Sequence, residues 1–195
     1  MDVHKRSRDF LIKSILNIEL SMFLKVNGES NAPCQEQPDA FKKIRGSIYE
    51  FWSDEMLESY FKDLVVAERN DRNLVFEKYA RMDNKIPQTN TNPLIGKIVD
   101  IEQKWQEELK VKYPAVYNHT CRDMNLSADG SNFKVYLASE LETYSDKTLE
   151  KYYDHLKTAF DKGENHSVEM LGRLAKKSGI DSLEKLEQLM QADVN

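Results

Sequence analysis

"SDEMLESYFKDLVVAERNDRNLVFEKYARM", residues 53–82, lies without a gap over "SDKTLEKYYDHLKTAFDKGENHSVEMLGRL", residues 145–174, at an offset of 92. The identical positions include Ser53 and Ser145, Leu57 and Leu149, Tyr60 and Tyr152, Leu64 and Leu156, Ala67 and Ala159, Asn73 and Asn165, Glu77 and Glu169, and Arg81 and Arg173. A match of this length indicates one structural plan used twice. The apolar residues within it recur three and four apart, so the plan is helical. A second match, "ILNIELSMF" from Ile15 over "IVDIEQKWQ" from Ile98 at an offset of 83, extends the duplication and pairs Glu19 with Glu102.

With seven glycines and five prolines in 195 residues, little interrupts a helix and an all-α fold follows. Helices are expected near 8–26, 39–52, 54–69 and 73–84, then near 94–112, 131–144, 146–161 and 165–177, with a short last helix near 182–192. That makes about eight or nine helices. They form two pseudo-repeated four-helix halves, 8–84 and 94–177, packed into a single domain over 1–195. Asp39, Ser53, Ser145 and Ser182 suit N-caps, and Gly28, Gly163 and Gly179 stand where helices should stop. "NKIPQTNTNP" joins the halves. Two connections are long, "NGESNAPCQEQP" and "YPAVYNHTCRDMNLSADG", and loops of that size in helical proteins often carry function.

A net charge of −5 without a long basic run argues against general nucleic-acid binding. The opening "MDVHKRSRDFLIKSILNIEL" imitates a secretory signal, but Lys13, Asn17 and Glu19 interrupt its apolar part. It is expected to be a helix, with no membrane involvement. Two cysteines, Cys34 and Cys121, make no disulfide framework and fit a reducing cytoplasm.

Four charged residues fall on apolar stripes. Ile12, Ile15, Leu16, Met22 and Phe23 surround Glu19, and Ile95, Ile98, Val99, Trp105 and Leu109 surround Glu102. Phe41, Ile44, Ile48 and Trp52 flank Arg45, and Phe133, Tyr136, Leu137 and Tyr144 flank Glu140. A buried charge must be paired, bound to a metal or neutralised. In one account these groups are structural: Glu19 pairs with Arg45, and Glu102 and Glu140 accept hydrogen bonds from tyrosines or helix ends. In the other they line a pocket between the halves, with Arg45 gripping an anionic group and Glu19 or Glu102 moving protons. Glu77 and Arg81, four apart, suit a helix salt bridge, and Val75, Tyr79, Met82 and Ile86 suit the buried stripe of that helix. Lys78 and Tyr79 have no counterpart in the second half, which marks them as candidate ligand contacts.

No metal is expected, because carboxylate-bridged di-metal bundles use Glu-x-x-His on two helices and no such pair is present. His155 and His166 do not supply that spacing. Cys34, followed by Gln35, is a candidate nucleophile whose activating base the sequence does not identify.

The segments "ILNIELSMF", "VNGESNAPCQ", "SYFKDLVVAERNDRNLVFEKYARM", "LIGKIVDIEQKW" and "ELETYSDKTLEKY" resemble domain-of-unknown-function family 4125. The resemblance implies one domain over most of the chain and brings no activity or cofactor with it. It adds weight to Glu19, Cys34, Gln35, Arg45, Glu77, Lys78, Tyr79 and Arg81. The expectation is a small-molecule-binding or enzymatic helical protein with a pocket for a small anionic ligand, in which Glu19, Glu102 and Cys34 are candidate catalytic groups. Gln35, Arg45, Glu77, Lys78, Tyr79, Arg81 and Glu140 are the candidate ligand contacts. The competing expectation is a non-catalytic helical adaptor or regulatory protein-interaction domain that holds a protein partner in an exposed groove or on the terminal "DSLEKLEQLM".

Overall fold

In a computed structural model, residues 6–26, 38–122, 124–125 and 132–192 are described. Among them are ten α-helices and no strand. They are α1 (Arg8–Leu24), α2 (Pro38–Tyr49), α3 (Asp54–Arg69), α4 (Leu74–Met82), α5 (Leu94–Lys112), α6 (Pro114–Thr120), α7 (Phe133–Leu141), α8 (Asp146–Asp161), α9 (His166–Lys177) and α10 (Leu183–Ala192). The count exceeds the expected eight or nine because α6 lies in a stretch read as loop. Pro114 opens it, with φ already set for a first helical residue and no N–H to leave unpaired.

Local chemistry fixes most of the ends. The Ser53 and Ser145 hydroxyls accept from the amides of Met56 and Thr148, and Asn73 and Asn165 accept from Phe76 and Val168. Asp39 is not a cap, since α2 begins one residue earlier and takes Asp39 into its first turn. After α8 the chain reverses at Gly163 with φ of +74°. After α3 the same turn is made by Asp71 at +54°, one of the few non-glycine side chains that tolerate this region.

Helix α1 packs on α2, α3 and α4, and α5 packs on α7, α8 and α9. Helices α3 and α8 lie together, α4 rests on α7, and α2 on α9. The main core gathers Ile15, Tyr49, Trp52, Leu57, Leu64, Ile98, Trp105 and Leu149, each essentially sealed from water. Burying a large aliphatic or aromatic side chain contributes about 1.5–3 kcal/mol, so residues of this size dominate the stabilisation. A smaller cluster of Leu109, Val116, Tyr117, Leu171 and Leu183 fastens α6 and α10 to the ends of α5 and α9.

One buried stripe differs from expectation. On α4, Leu74, Lys78 and Ala80 are buried, while Val75, Tyr79 and Met82, and Ile86 beyond the helix, are only half-buried. The helix is rolled so that the Lys78 stem faces inward, and a carboxylate meets its ammonium.

Candidate functional site

Two tyrosines at matching sequence positions, one on α3 and one on α8, each hold a glutamate of a long helix. The Tyr60 hydroxyl donates to Glu19 Oε1 at 2.7 Å, and the Tyr152 hydroxyl donates to Glu102 Oε1 at 2.9 Å. Burial, reinforced by the adjacent carboxylate, pushes both phenols well above 10, so each stays a protonated donor.

Around Glu19 the interior is a closed charge network. Arg45 of α2 donates from Nε to Glu19 Oε2 at 3.1 Å and from Nη2 to Oε1 at 2.6 Å. Its Nη2 also reaches the Tyr49 hydroxyl at 2.6 Å, and Nη1 lies 2.9 Å from Glu140 Oε1. Lys78 Nζ donates to Glu140 Oε2 at 2.6 Å and sits 3.5 Å from the centroid of the Tyr136 ring, while the Tyr144 hydroxyl donates to Glu140 Oε1 at 3.0 Å. Two carboxylates thus face two cations. Burial would raise the Glu140 carboxyl, but Arg45 and Lys78 outweigh it and hold the group far below the usual carboxylate range. Burial works against the Lys78 ammonium, and Glu140 together with Tyr136 and Tyr79 more than offsets it.

Glu102 has no such company. Among the described residues Tyr152 holds it and no cation pairs with it. Burial pushes its carboxyl from an ordinary 4.5 up to about 7, with the Tyr152 bond pulling the other way. It lines a cavity of about 620 Å³ shared by α2, α5, α7, α8 and α9 and bordered by the turn after α6. Trp52, Phe133, Tyr136, Tyr144 and Tyr152 supply aromatic walls, and Arg45 and Glu140 complete them. The Arg45 and Glu140 side chains also line a second cavity of only about 50 Å³ beside Glu19 and Lys78, so they stand in the partition between the two spaces.

Two further residues of the large cavity carry a buried polar atom with no partner among the described residues: Gln106 Oε1 and His155 Nε2. Gln106 lies one helical turn beyond Glu102 and donates from Nε2 to Ser167 Oγ at 3.1 Å. His155 lies one turn beyond Tyr152, and its ring is 5.0 Å from that of His166. Burial and then His166 lower the His155 pKa below its ordinary value, while the Phe51 carbonyl draws it the other way, so the ring is neutral at physiological pH. Burial lowers His166 as well. Among the described residues no group of three or more His, Cys, Asp or Glu side chains could hold a metal ion.

Of the residues singled out in the sequence, Glu19, Arg45, Lys78 and Glu140 meet in one network, with Tyr79 bordering both cavities and Glu102 lining the larger one. Glu77 and Arg81 turn away from one another: Glu77 accepts two hydrogen bonds from Arg72, and Arg81 donates to Glu142 at 2.9 Å. Glu142 also accepts from the Thr89 amide at 3.3 Å, so Arg81 helps pin the segment between α4 and α5. Cys34 and Gln35 lie outside the described residues. Tyr60 and Tyr152 were visible as a repeated pair. Gln106 and His155 carried no signal beyond their one-turn spacing from Glu102 and Tyr152.

The chain belongs to the family described as a protein of unknown function (DUF4125), whose model matches residues 9–188. No curated protein and no solved structure matches it. Among the described residues no helix is long and apolar enough to cross a membrane.

Proposed function

We propose that this chain is a small-molecule-binding protein, a receptor or an enzyme, whose site is the 620 Å³ cavity between two halves of one folding unit. The halves, 8–84 and 94–177, repeat one plan. Supporting this are the Glu–Tyr bond at 19 and 60 and again at 102 and 152, and the left-handed turn at 71 and again at 163. The caps agree: Asn73 donates to the Met22 carbonyl and Asn165 to that of Trp105.

One observation carries the functional reading. The carboxylate–tyrosine pair that Arg45 closes in the first half opens, in the second, on a space within the 300–1,000 Å³ that small ligands occupy. A carboxyl with a pKa of about 7 is suited to give and take protons at physiological pH, so Glu102 is the candidate acid or base. Arg45 stands in the wall, and Lys78 lies behind it, lining the small cavity. Gripping an anionic ligand with them would require breaking their bonds to Glu19 and Glu140. The adaptor reading has less to draw on, because α10 is docked through Leu183 and through Glu187, which accepts from the amides of Ala115 and Val116.

The test combines native mass spectrometry of the purified protein, for a co-purified ligand, with thermal-shift screening of a mixed-charge fragment set. Stabilising compounds should lose their effect in Leu137→Trp, which fills the cavity, with helicity retained by circular dichroism. Compounds that stabilise Leu137→Trp and Glu102→Gln as fully as the native chain would move the site elsewhere.

A further inference from the structure

The network at Glu19 indicates what belongs at Glu102. In the first half a helix supplies the counter-charge: Arg45 of α2 brings a planar guanidinium against the carboxylate that Tyr60 already holds. The residue 92 positions after Arg45 is Leu137 of α7, and it lines the large cavity together with Glu102. Where α2 sends a cation, α7 sends an aliphatic side chain and leaves Glu102 facing open space. A carboxylate in so sheltered a place is stabilised by an opposite charge with N–H groups to donate.

The rest of the wall favours the same chemistry. Gln106 Oε1 and the Nε2 of the neutral His155 are both acceptors without partners, one turn from Glu102 and from Tyr152 respectively. Trp52, Tyr144 and Tyr152 line the space, and aromatic rings attract a cation to their faces through the ring quadrupole. An anion entering here would meet Glu102 and Glu140, while the Arg45 charge is already matched. Arg122, at the cavity border, lies over the Tyr136 ring at 4.8 Å.

We propose that the cavity takes a small organic cation bearing N–H donors, an amidinium, guanidinium or protonated amine on an apolar body, with Glu102 as its counter-ion. This rests on the reading of the cavity as a small-molecule site and on the equivalence of the two halves. Binding then requires Glu102 ionised, so the ligand displaces a proton. The charged and titratable groups that line the cavity with Glu102 include Tyr152 and His155 on α8, His166 on α9, Arg45 on α2, Glu140 on α7, and His119 and Arg122 at the end of α6. The phenol stays protonated, Arg45 and Glu140 stay charged, and His155 and His166 titrate below their ordinary value.

Benzamidine and phenethylamine serve as probes, with benzyl alcohol and benzoate as neutral and anionic counterparts, in titration calorimetry on the full chain. The cations should bind about tenfold more tightly at pH 8 than at pH 6, following ionisation of a carboxyl with a pKa of about 7. Buffers of different ionisation heat should show proton release at pH 6. Glu102→Gln, which keeps an acceptor for Tyr152, should cost the cations about tenfold or more in affinity and abolish the pH dependence. If benzoate or benzyl alcohol binds as well as the cations and Leu137→Trp abolishes it, the charge assignment falls and the cavity stands. If no probe binds and the fragment screen is equally blank, both fall.

Discussion

Arg45 closes on Glu19 with two hydrogen bonds from one guanidinium edge, Nε at 3.1 Å and Nη2 at 2.6 Å, while its far edge faces Glu140. Glu19 is only 2% exposed, so the pair is held away from water that would screen it. Removing one partner of such a pair leaves a buried charge uncompensated, at about 3–5 kcal/mol. Arg45→Ala should therefore lower the unfolding free energy by about that much in urea titrations. The double variant Arg45→Met with Glu19→Gln should recover part of the loss, because the orphaned carboxylate is gone. A cost under about 1 kcal/mol for Arg45→Ala would mean that Glu19 reaches solvent.

Glu102 and Glu140 give stability opposite dependences on pH. Folding raises Glu102 from 4.5 to about 7, so its contribution is full below about 4.5 and is lost as pH rises through about 7. The interval corresponds to about 3 kcal/mol. Folding lowers Glu140, because Arg45 and Lys78 outweigh its burial, so its contribution is present above about 4.5 and is lost as pH falls below that. Glu102→Gln should leave stability at pH 5 little changed and raise it relative to the native chain at pH 8. Urea midpoints across that range check this, and parallel curves for the two proteins would contradict it.

The helices and the charged interior were legible in the sequence for one reason: a 3.6-residue period puts Glu19, Arg45, Glu102 and Glu140 on apolar faces, and those faces had to pack. The roll of α4 was not. Val75 and Tyr79 make as good a stripe as Leu74 and Lys78 until Glu140 arrives from α7 to match the ammonium. Helix α6 escaped because seven residues that open on a proline carry too little periodicity. Nor could the sequence separate Glu102 from Glu19, since the difference lies in what a second helix contributes: the Arg45 guanidinium at Glu19, and Leu137 beside a cavity with Glu102.

Asn73 and Asn165 each do two things at once. Their Oδ1 atoms accept from Phe76 and Val168, and their Nδ2 atoms donate across to the carbonyls of Met22 at 2.8 Å and Trp105 at 3.1 Å. Aspartate is as good an N-cap as asparagine, yet here it would lose the donor and set a carboxylate against a carbonyl. Asn73→Asp and Asn165→Asp should therefore each destabilise by about 1–2 kcal/mol instead of being neutral. Thermal unfolding of both variants is the check. A cost confined to one of them would mean that the two caps are not equivalent.

Glu187 sets how firmly the last helix is held. Its Oε1 accepts from the Ala115 amide at 3.0 Å and its Oε2 from the Val116 amide at 2.8 Å, so a carboxylate on α10 satisfies two amides in the first turn of α6. Its charge also lies favourably at that helix start. Leu183 anchors the same helix beside it in the smaller core, and Glu184 accepts from the Tyr113 hydroxyl at 2.5 Å. Glu187→Ala removes both acceptors without touching that apolar contact, and should cost about 1–3 kcal/mol. Amide exchange separates the alternatives. Protection at Ala115 and Val116 should collapse in the variant while α3 and α8 keep theirs, because the lost bonds belong to α6 and α10 alone. Unchanged protection at those two amides would mean that α6 is held by Val116 and Tyr117 in the core, with α10 free to leave.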